Sequence, residues 1–273
     1  MGAAISVQLL KSHRDVTVWN RTREKCERIR AAGARVANTA AEAIQFADLV
    51  IAVTASTNDL DIMLQDTDCQ LAGKDLVSFI TATPMEARAL ASLVERSDGC
   101  FLNGSIQSFP RGIGQTETQI LFGGDKSVWE RRLNILKSLA GASIFTGDDP
   151  ALPNVLDTAV MGCFILVSEA ALLEGAAYAA KEGVSVETLR MFWPAALKSI
   201  AGHVERVSKA ILENDLSTDC APLRLYERSF ELFNRAMLDA GASNPLTAAA
   251  LRRIKSEVAA GHGELSLAVL HRH

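Results

Sequence analysis

A long, almost uncharged segment from Pro150 to Gly183 constrains the fold of this chain more than any other stretch. After Pro153 it contains no further proline, and most of its residues are apolar or small helix formers. A continuous helix here would span on the order of 40 Å at 1.5 Å per residue. Because a helix that is apolar nearly all round must be buried nearly all round, we expect a spine between two domains, packed against the same helix of a second chain. Ser, Gly and Glu residues interrupt the segment, which argues against a membrane span.

The overall composition is that of a globular protein and argues against several classes of partner. The chain has 273 residues, of which 48% are hydrophobic and 22% are charged, and its net charge is −4. Without a basic block it is not expected to bind nucleic acid. Its five cysteines are widely scattered, a pattern typical of reduced thiols in a cytoplasmic protein.

Strands alternate with helices in the first half of the chain, and the second half shows only helical periodicity. The predicted strands are Val16–Trp19, Arg35–Ala37, Asp48–Val53, Asp75–Ile80, Cys100–Ile106, Gln119–Phe122 and Ala142–Phe145. This alternation predicts an α/β fold with a doubly wound, parallel Rossmann-type sheet. The predicted domains are residues 1–152, an interdomain helix at 153–183, and an all-α bundle at 184–273. Its predicted helices are Val186–Ser199, split or kinked at Trp193-Pro194, Ala201–Asn214, Pro222–Ala240 and Pro245–Ala260.

The first residues read as a helix, whereas a doubly wound nucleotide domain normally opens with a strand and a glycine-rich turn. Gly2 corresponds to the last glycine of such a turn. Either the start codon is assigned too late, or the sheet lacks its usual central strand, and a real loss of that strand would leave two strand edges exposed.

Polar residues follow the predicted strand Val16–Trp19, where a dinucleotide fold that binds NAD places an acid. Here the residues are Asn20, Arg21 and Thr22, followed by Lys25, and no acid is present. Donors and cations at this place favour the 2′-phosphate of NADPH. The alternative is that Asn20 or Thr22 caps the next helix.

Two further loops are candidates for cofactor contact. Val53 ends the predicted strand Asp48–Val53 and Thr54 follows it. Thr81 and Thr83 follow the strand at Asp75–Ile80, where a loop borders the cofactor crevice. Thr83 also precedes Pro84 and is therefore expected to cap a helix, a role that is compatible with cofactor contact.

Asp157 is the main candidate for catalysis, and the residues alone leave two interpretations open. With Asn154 as the N-cap, Asp157 would be the third helical residue, where an acid stabilises the helix. It would also lie at the domain junction, where cofactor-dependent enzymes place their chemistry. His262, between two glycines, is interpreted as structural, and no ligand spacing predicts a metal.

Several motifs resemble those of the imine reductase and reductive aminase family, within the β-hydroxyacid dehydrogenase superfamily. These are VTVWNRT at 16–22, TATP at 81–84, GSIQSFPRGIG at 104–114, NVLDTAVM at 154–161 and AAGHGELSLAVL at 259–270. The resemblance implies a Rossmann domain, a long interdomain helix, and a helical bundle exchanged within a homodimer. It also implies reduction of cyclic or preformed imines by NADPH, with coupling of a ketone and an amine in some members.

The resemblance gives Asp157 a chemical role. The hydroxyacid dehydrogenase relatives place a lysine there, whereas a carboxylate suits an iminium cation that it can protonate or stabilise. The substrate-pocket candidates are Ser105, Gln107, Met161 and Ile165. Two alternatives remain: an NADP-dependent dehydrogenase of β-hydroxy acids or aldehydes, and a non-catalytic dimeric module.

Overall fold

The computed structural model describes residues 1–65, 70–218 and 220–272, so Cys69 lies outside the described residues. Contacts between residues divide the chain into two compact units, Met1–Phe164 and Ile165–His273. The first unit combines strands with helices, and every element of the second unit is helical within the described residues. The predicted α/β class followed by an all-α part is therefore confirmed.

The first unit alternates strands and helices as the sequence predicts. In chain order it contains α1 (Gly2–Lys11), β1 (Thr17–Val18), α2 (Glu24–Ala31), β2 (Arg35–Val36), α3 (Ala40–Gln45), β3 (Leu49–Ala52), α4 (Thr57–Gln65), β4 (Asp75–Ser78), α5 (Pro84–Arg96), β5 (Cys100–Ile106), β6 (Ile120–Gly124), α6 (Lys126–Leu139), β7 (Ile144–Gly147) and α7 (Leu152–Asp157). Sequence analysis missed α4. Ser56 caps this helix, because its hydroxyl accepts from the backbone N–H of Asp59 at 3.1 Å.

The strands form two separate sheets. β1 pairs with β2, and the other strands form a five-stranded sheet in the order β3-β4-β5-β6-β7. The pairings are parallel, as predicted for a doubly wound sheet, except that β5 and β6 pair antiparallel, which the sequence analysis did not predict. Among the described residues β1 and β3 each pair with one strand only.

The five-stranded sheet is buried on both faces. In β4, Leu76 and Val77 belong to different apolar clusters, and in β5 the same holds for Phe101 and Leu102. Adjacent strand residues point to opposite faces, so helices cover both sides, as doubly wound sheets require. A continuous apolar run, as in β4, is the sequence pattern of a strand that is buried on both faces.

At the start of β4, a buried carboxylate anchors α6. The Asp75 side chain is only 4% exposed and forms salt bridges with Arg131 and Arg132. Burial raises the pKa of Asp75, but the hydrogen bonds from the two arginines outweigh that effect and leave the pKa below its ordinary value.

The long apolar segment forms a continuous helix of 30 residues, Leu152–Lys181. It consists of α7, a π-helical segment at Thr158–Leu166, and α8 (Val167–Lys181). The apolar window of this helix has a mean hydropathy of 1.8, with none of it buried within the single chain. By length and composition alone the helix would also be able to cross a membrane. A single helix of this length and composition also occurs in proteins outside membranes, so its length and composition do not assign this helix to a membrane.

Within the described residues, four α-helices, a π-helical turn and a 3₁₀ helix form the rest of the second unit. They are α9 (Val186–Arg190), α10 (Trp193–Leu212), α11 (Leu223–Asp239) and α12 (Pro245–Glu257), followed by a π-helical turn at Val258–His262 and a 3₁₀ helix at Leu267–Arg272. The predicted split at Trp193-Pro194 is confirmed, since α10 begins there with Pro194 in its first turn. The predicted break between Ser199 and Ala201 is wrong, because α10 continues through both residues.

Candidate functional site

Asp157 is the last residue of α7, six residues into a helix that begins at Leu152. The N-cap is Ala151, and it forms no side-chain capping hydrogen bond. The interpretation of Asp157 as a first-turn acid capped by Asn154 is therefore wrong. Pro153 fits the first turn of a helix, which places the helix start upstream of Asn154. The π-helical segment begins directly after Asp157, and such segments are frequent at functional sites.

The structure brings Asp157 together with two of the predicted substrate-pocket residues. Gln107 lies directly after β5, and its Nε2 donates to Asp157 Oδ1 at 3.0 Å. The same nitrogen donates to Ser105 Oγ at 2.9 Å. Ser105 is buried in β5, whereas Gln107 and Asp157 are half-buried. Two hydrogen bonds thus connect the buried Ser105 in the sheet through Gln107 to Asp157, whose side chain is partly accessible.

A second amide, on β5 itself, fixes α7 against this strand. Asn103 Nδ2 donates to the carbonyl of Pro150 at 2.7 Å and to Asn154 Oδ1. Asn103 and Asn154 are both buried. Alternate residues of a strand share a face, so Asn103 lies on the same face as Ser105. Sequence analysis missed the contact between the two asparagines, although polar residues at alternate positions of a buried strand were a signal for it.

The predicted cofactor residues divide into two groups. One cavity in the first unit, with a volume of about 1810 Å³, is lined by Gly2, Asn20, Arg21, Thr22, Lys25, Val53 and Thr54. Thr81, Thr83 and Asp157 do not line it. The cavity exceeds the ~300–1,000 Å³ of ordinary ligand pockets, because it also extends between the exposed edges of β1 and β3.

The turn that follows β1 leaves its cations accessible. Asn20 Oδ1 accepts from the backbone N–H of Thr22 at 2.9 Å. The side chain of Arg21 is 87% exposed, and its Nη1 lies 3.8 Å from Asp59 Oδ1. The next helix, α2, begins at Glu24, and neither Asn20 nor Thr22 is its N-cap. The alternative that these residues cap that helix is therefore wrong.

Thr83 has the capping role that the sequence predicts. Its hydroxyl accepts from the backbone N–H of Glu86, and its own N–H donates to Glu86 Oε2 at 2.8 Å, a capping box at the start of α5. Thr57 also donates to Glu86, at 3.2 Å. The hydrogen bonds from Thr83 hold the pKa of Glu86 below its ordinary value. Thr81 is exposed in the same loop.

An ion pair that sequence analysis missed fixes the loop before α7. Arg88 of α5 forms a two-point contact with Asp149, with Nη2 2.6 Å from Oδ2 and Nε 3.2 Å from Oδ1. Asp149 Oδ1 also accepts from the backbone N–H of Ala151 at 3.0 Å. The hydrogen bond from Arg88 lowers the pKa of Asp149. In the sequence only the two acidic residues before Pro150 indicated such a contact, because Arg88 lies far from Asp149 along the chain.

The other residues singled out in the sequence are His262, Met161 and Ile165. His262 Nδ1 lies 2.8 Å from Oε2 of the buried Glu257, in agreement with a structural role. Met161 and Ile165 are half-buried residues of the π-helical segment. Within the described residues no group of three or more His, Cys, Asp or Glu side chains is arranged to hold a metal ion.

Comparisons with known proteins agree with this architecture. Residues 1–147 match the family of the NAD binding domain of 6-phosphogluconate dehydrogenase, and residues 149–273 match the C-terminal domain of NADPH-dependent reductive aminase-like proteins. The chain belongs to the imine reductase and reductive aminase family. The resemblance found in its sequence motifs is thereby confirmed.

Individual members of the family are similar over almost the whole chain. An NADPH-dependent reductive aminase from Aspergillus oryzae is 26% identical over 99% of this chain and 92% of its own length. The imine reductase from Myxococcus stipitatus, solved with NADP⁺, has a TM-score of 0.95 and 27% identity, covering 100% of this chain and 96% of its own. A reductive aminase from Aspergillus terreus, solved with NADPH and ethyl levulinate, has a TM-score of 0.94 and 25% identity, covering 99% and 94%.

Proposed function

We propose that this protein is a cytoplasmic enzyme that reduces the C=N bond of small imines or iminium ions with NADPH. The observation that carries the proposal is the carboxylate of Asp157, which Gln107 holds at the junction of α7 and the π-helical segment. A carboxyl group there suits a substrate that carries or acquires positive charge on nitrogen. It would instead repel the alkoxide of a hydroxy acid.

Asp157 has one of two roles in this reaction. As an acid it transfers its proton to the imine nitrogen and becomes a carboxylate, and as a carboxylate it stabilises an iminium that is already protonated. NADPH, when bound, supplies the hydride that adds to the iminium carbon. The π electrons of the C=N bond then become the lone pair of the amine nitrogen. The net reaction consumes one imine, one proton and one NADPH, and yields amine and NADP⁺.

The residues that line the large cavity fit NADPH. Gly2 opens α1, and the N-terminus of a helix favours phosphate through its free N–H groups and its dipole. Exposed Arg21, with Asn20, Thr22 and Lys25, presents donors and positive charge to a 2′-phosphate. The remaining proposed cofactor contacts are Val53, Thr54, Thr81 and Thr83.

The proposed substrates are preformed imines, or a ketone together with an amine, with Ser105, Gln107, Met161 and Ile165 as pocket residues. The aspartate favours them over β-hydroxy acids. The relatives support this choice, since a reductive aminase from Aspergillus terreus has been solved with NADPH4, cyclohexanone and allyl amine.

The proposed assembly is a homodimer built on the long helix. Large apolar side chains that are exposed in the single chain follow this helix, namely Val160, Phe164, Leu166, Val167 and Leu173. Exposed apolar patches of this kind mark interaction surfaces. Val167→Glu is therefore expected to reduce the dimer fraction in sedimentation velocity. A Val167→Glu protein that sediments as the wild type does would contradict the assignment of this face.

The test of the reaction is steady-state turnover with purified full-length protein. We expect a preformed cyclic imine to be reduced with NADPH faster than with NADH, and a ketone without an amine to remain unreacted. Oxidation of β-hydroxy acids with NADP⁺ at a higher rate than imine reduction would favour the dehydrogenase. Tight NADPH binding without turnover of either class would favour a non-catalytic module.

A further inference from the structure

We infer that Gln107 is a positioning residue that fixes which oxygen of Asp157 exchanges a proton with the substrate. This inference rests on the proposed function and concerns the same site. Gln107 acts through the aspartate, so it is distinct from a group that reacts itself.

The amide nitrogen of Gln107 uses both of its hydrogens in this arrangement. One is directed to Ser105 Oγ at 2.9 Å and the other to Asp157 Oδ1 at 3.0 Å. A primary amide has two N–H donors on one nitrogen, so the buried Ser105 hydroxyl sets the rotation of the amide plane. The second hydrogen then points at the carboxylate.

Both ends of this contact lie on fixed backbone. The N–H of Gln107 donates to the carbonyl of Gln119 at 3.0 Å, which extends the pairing of β5 with β6 by one residue. On the other side, the buried contact of Asn103 with Asn154 holds α7 one turn before Asp157. The amide of Asn103 on β5 and that of Gln107 directly after it thus fix the helix that carries the aspartate.

This arrangement distinguishes the two oxygens of the carboxyl group. Oδ1 is held by Gln107, whereas Oδ2 accepts no hydrogen bond from any residue that the structure describes. The free oxygen is the one that donates the proton to an imine nitrogen or faces the iminium. Reactions that depend on orientation lose roughly a hundredfold in rate when a group is displaced by about 1 Å. Without Gln107 the plane of the carboxyl group would no longer be fixed, and the oxygen that faces the substrate would lose its orientation.

The first test is Gln107→Met, which keeps the length of the side chain and removes both donors. We expect kcat for a cyclic imine to fall about ten- to hundredfold while KM and the Kd of NADPH change less than about twofold. The matched control is Gln119→Met, the same change at an exposed side chain across the strand pair, with kcat expected to stay at the wild-type value. An unchanged kcat in Gln107→Met would overturn the inference.

The second test is a double-mutant cycle with Asp157→Asn. If Gln107 acts through Asp157, adding Gln107→Met to Asp157→Asn should lower kcat by less than about twofold, since the group to be positioned is already lost. A merely structural role predicts that the two losses multiply, and that result would overturn the inference.

A spectroscopic arm separates this inference from the proposed function. In protein labelled with ¹⁵N-glutamine, the side-chain amide signals that disappear in Gln107→Met belong to Gln107. We expect these signals to shift in Asp157→Asn and to keep their position in Gln119→Met. Unshifted signals would overturn the positioning role whatever the activity. Shifted signals without any imine turnover would support the contact and contradict only the proposed reaction.

Discussion

Glu174 of α8 caps the start of α12 from another helix. Its Oε2 accepts from the N–H of Leu246 at 3.0 Å, and its Oε1 accepts from the N–H and the hydroxyl of Thr247 at 3.0 and 2.6 Å. The N-cap residue of α12, Asn244, makes no side-chain capping hydrogen bond, because its amide donates to Asn234 Oδ1 instead. The carboxylate therefore satisfies N–H groups that the helix leaves unpaired.

We predict that Glu174→Gln lowers the free energy of unfolding of the second unit by about 2 kcal/mol. The variant keeps one acceptor oxygen for Thr247, but its NH₂ group faces the N–H of Leu246. Losing a charged hydrogen bond costs roughly 1.5 kcal/mol, and losing the charge at a helix N-terminus costs about 0.5 kcal/mol. Urea unfolding and hydrogen exchange of the α12 amides measure the effect. Glu169→Gln, at an exposed residue of α8, is the control and should cost less than about 0.5 kcal/mol.

The contribution of Glu174 should also depend on pH. Burial raises its pKa, but hydrogen bonds from Thr247 and Leu246 outweigh that effect and lower the pKa overall. A carboxyl whose folded pKa lies below its unfolded pKa stabilises the fold fully above the unfolded value, about 4.3. The stabilisation is lost as the pH falls through the folded pKa. The difference between wild type and Glu174→Gln should therefore shrink below that pH. Equal stability of the Glu174 and Glu169 variants at pH 7 would refute the reasoning.

Three further predictions follow from other parts of the chain. Arg21→Ala should weaken NADPH far more than NADH in binding titrations, because a charge-assisted phosphate contact is lost; equal weakening would contradict the 2′-phosphate assignment. Asp75→Asn should cost about 3 kcal/mol in urea unfolding, since it leaves Arg131 and Arg132 without their buried carboxylate; a cost under about 1 kcal/mol would argue against the anchor. Amides of β1 should exchange faster than those of β4, because a two-stranded ribbon is only marginally stable; equal protection would contradict the exposed edge.

The fold was predictable wherever local pattern decides structure. The apolar run of β4 and the Thr83-Pro84 start of α5 are short-range signals, and both match the structure closely. The antiparallel direction of β6 was not predictable, because the connection of β5 to β6 through a turn rich in glycine and proline fits several topologies. The break after Ser199 was wrongly predicted, since no proline lies between Ser199 and Ala201 and α10 runs through both residues.

The site was only partly predictable, because its geometry depends on contacts between distant residues. Asp157, Gln107 and Ser105 were each recognised, but the hydrogen bonds that join them link β5 to α7, 50 positions apart. The helical position of Asp157 was misjudged by assigning the cap to Asn154, although Pro153 already marked a first turn. Asn154 Oδ1 instead accepts a hydrogen bond from Asn103, a contact that no local sequence pattern predicts.

The role of Asp157 in imine reduction is tested most directly by the single-turnover rate of hydride transfer in Asp157→Asn. An asparagine still offers Oδ1 to Gln107, so the melting temperature and the Kd of NADPH should remain almost unchanged. It has no proton to give and no charge for an iminium, and general acid catalysis is worth roughly 10²–10⁴-fold. With a preformed cyclic imine and saturating NADPH, we predict that the rate falls at least about a hundredfold. A variant that retains most of the wild-type rate would contradict the account, because the proton would then come from water or another group.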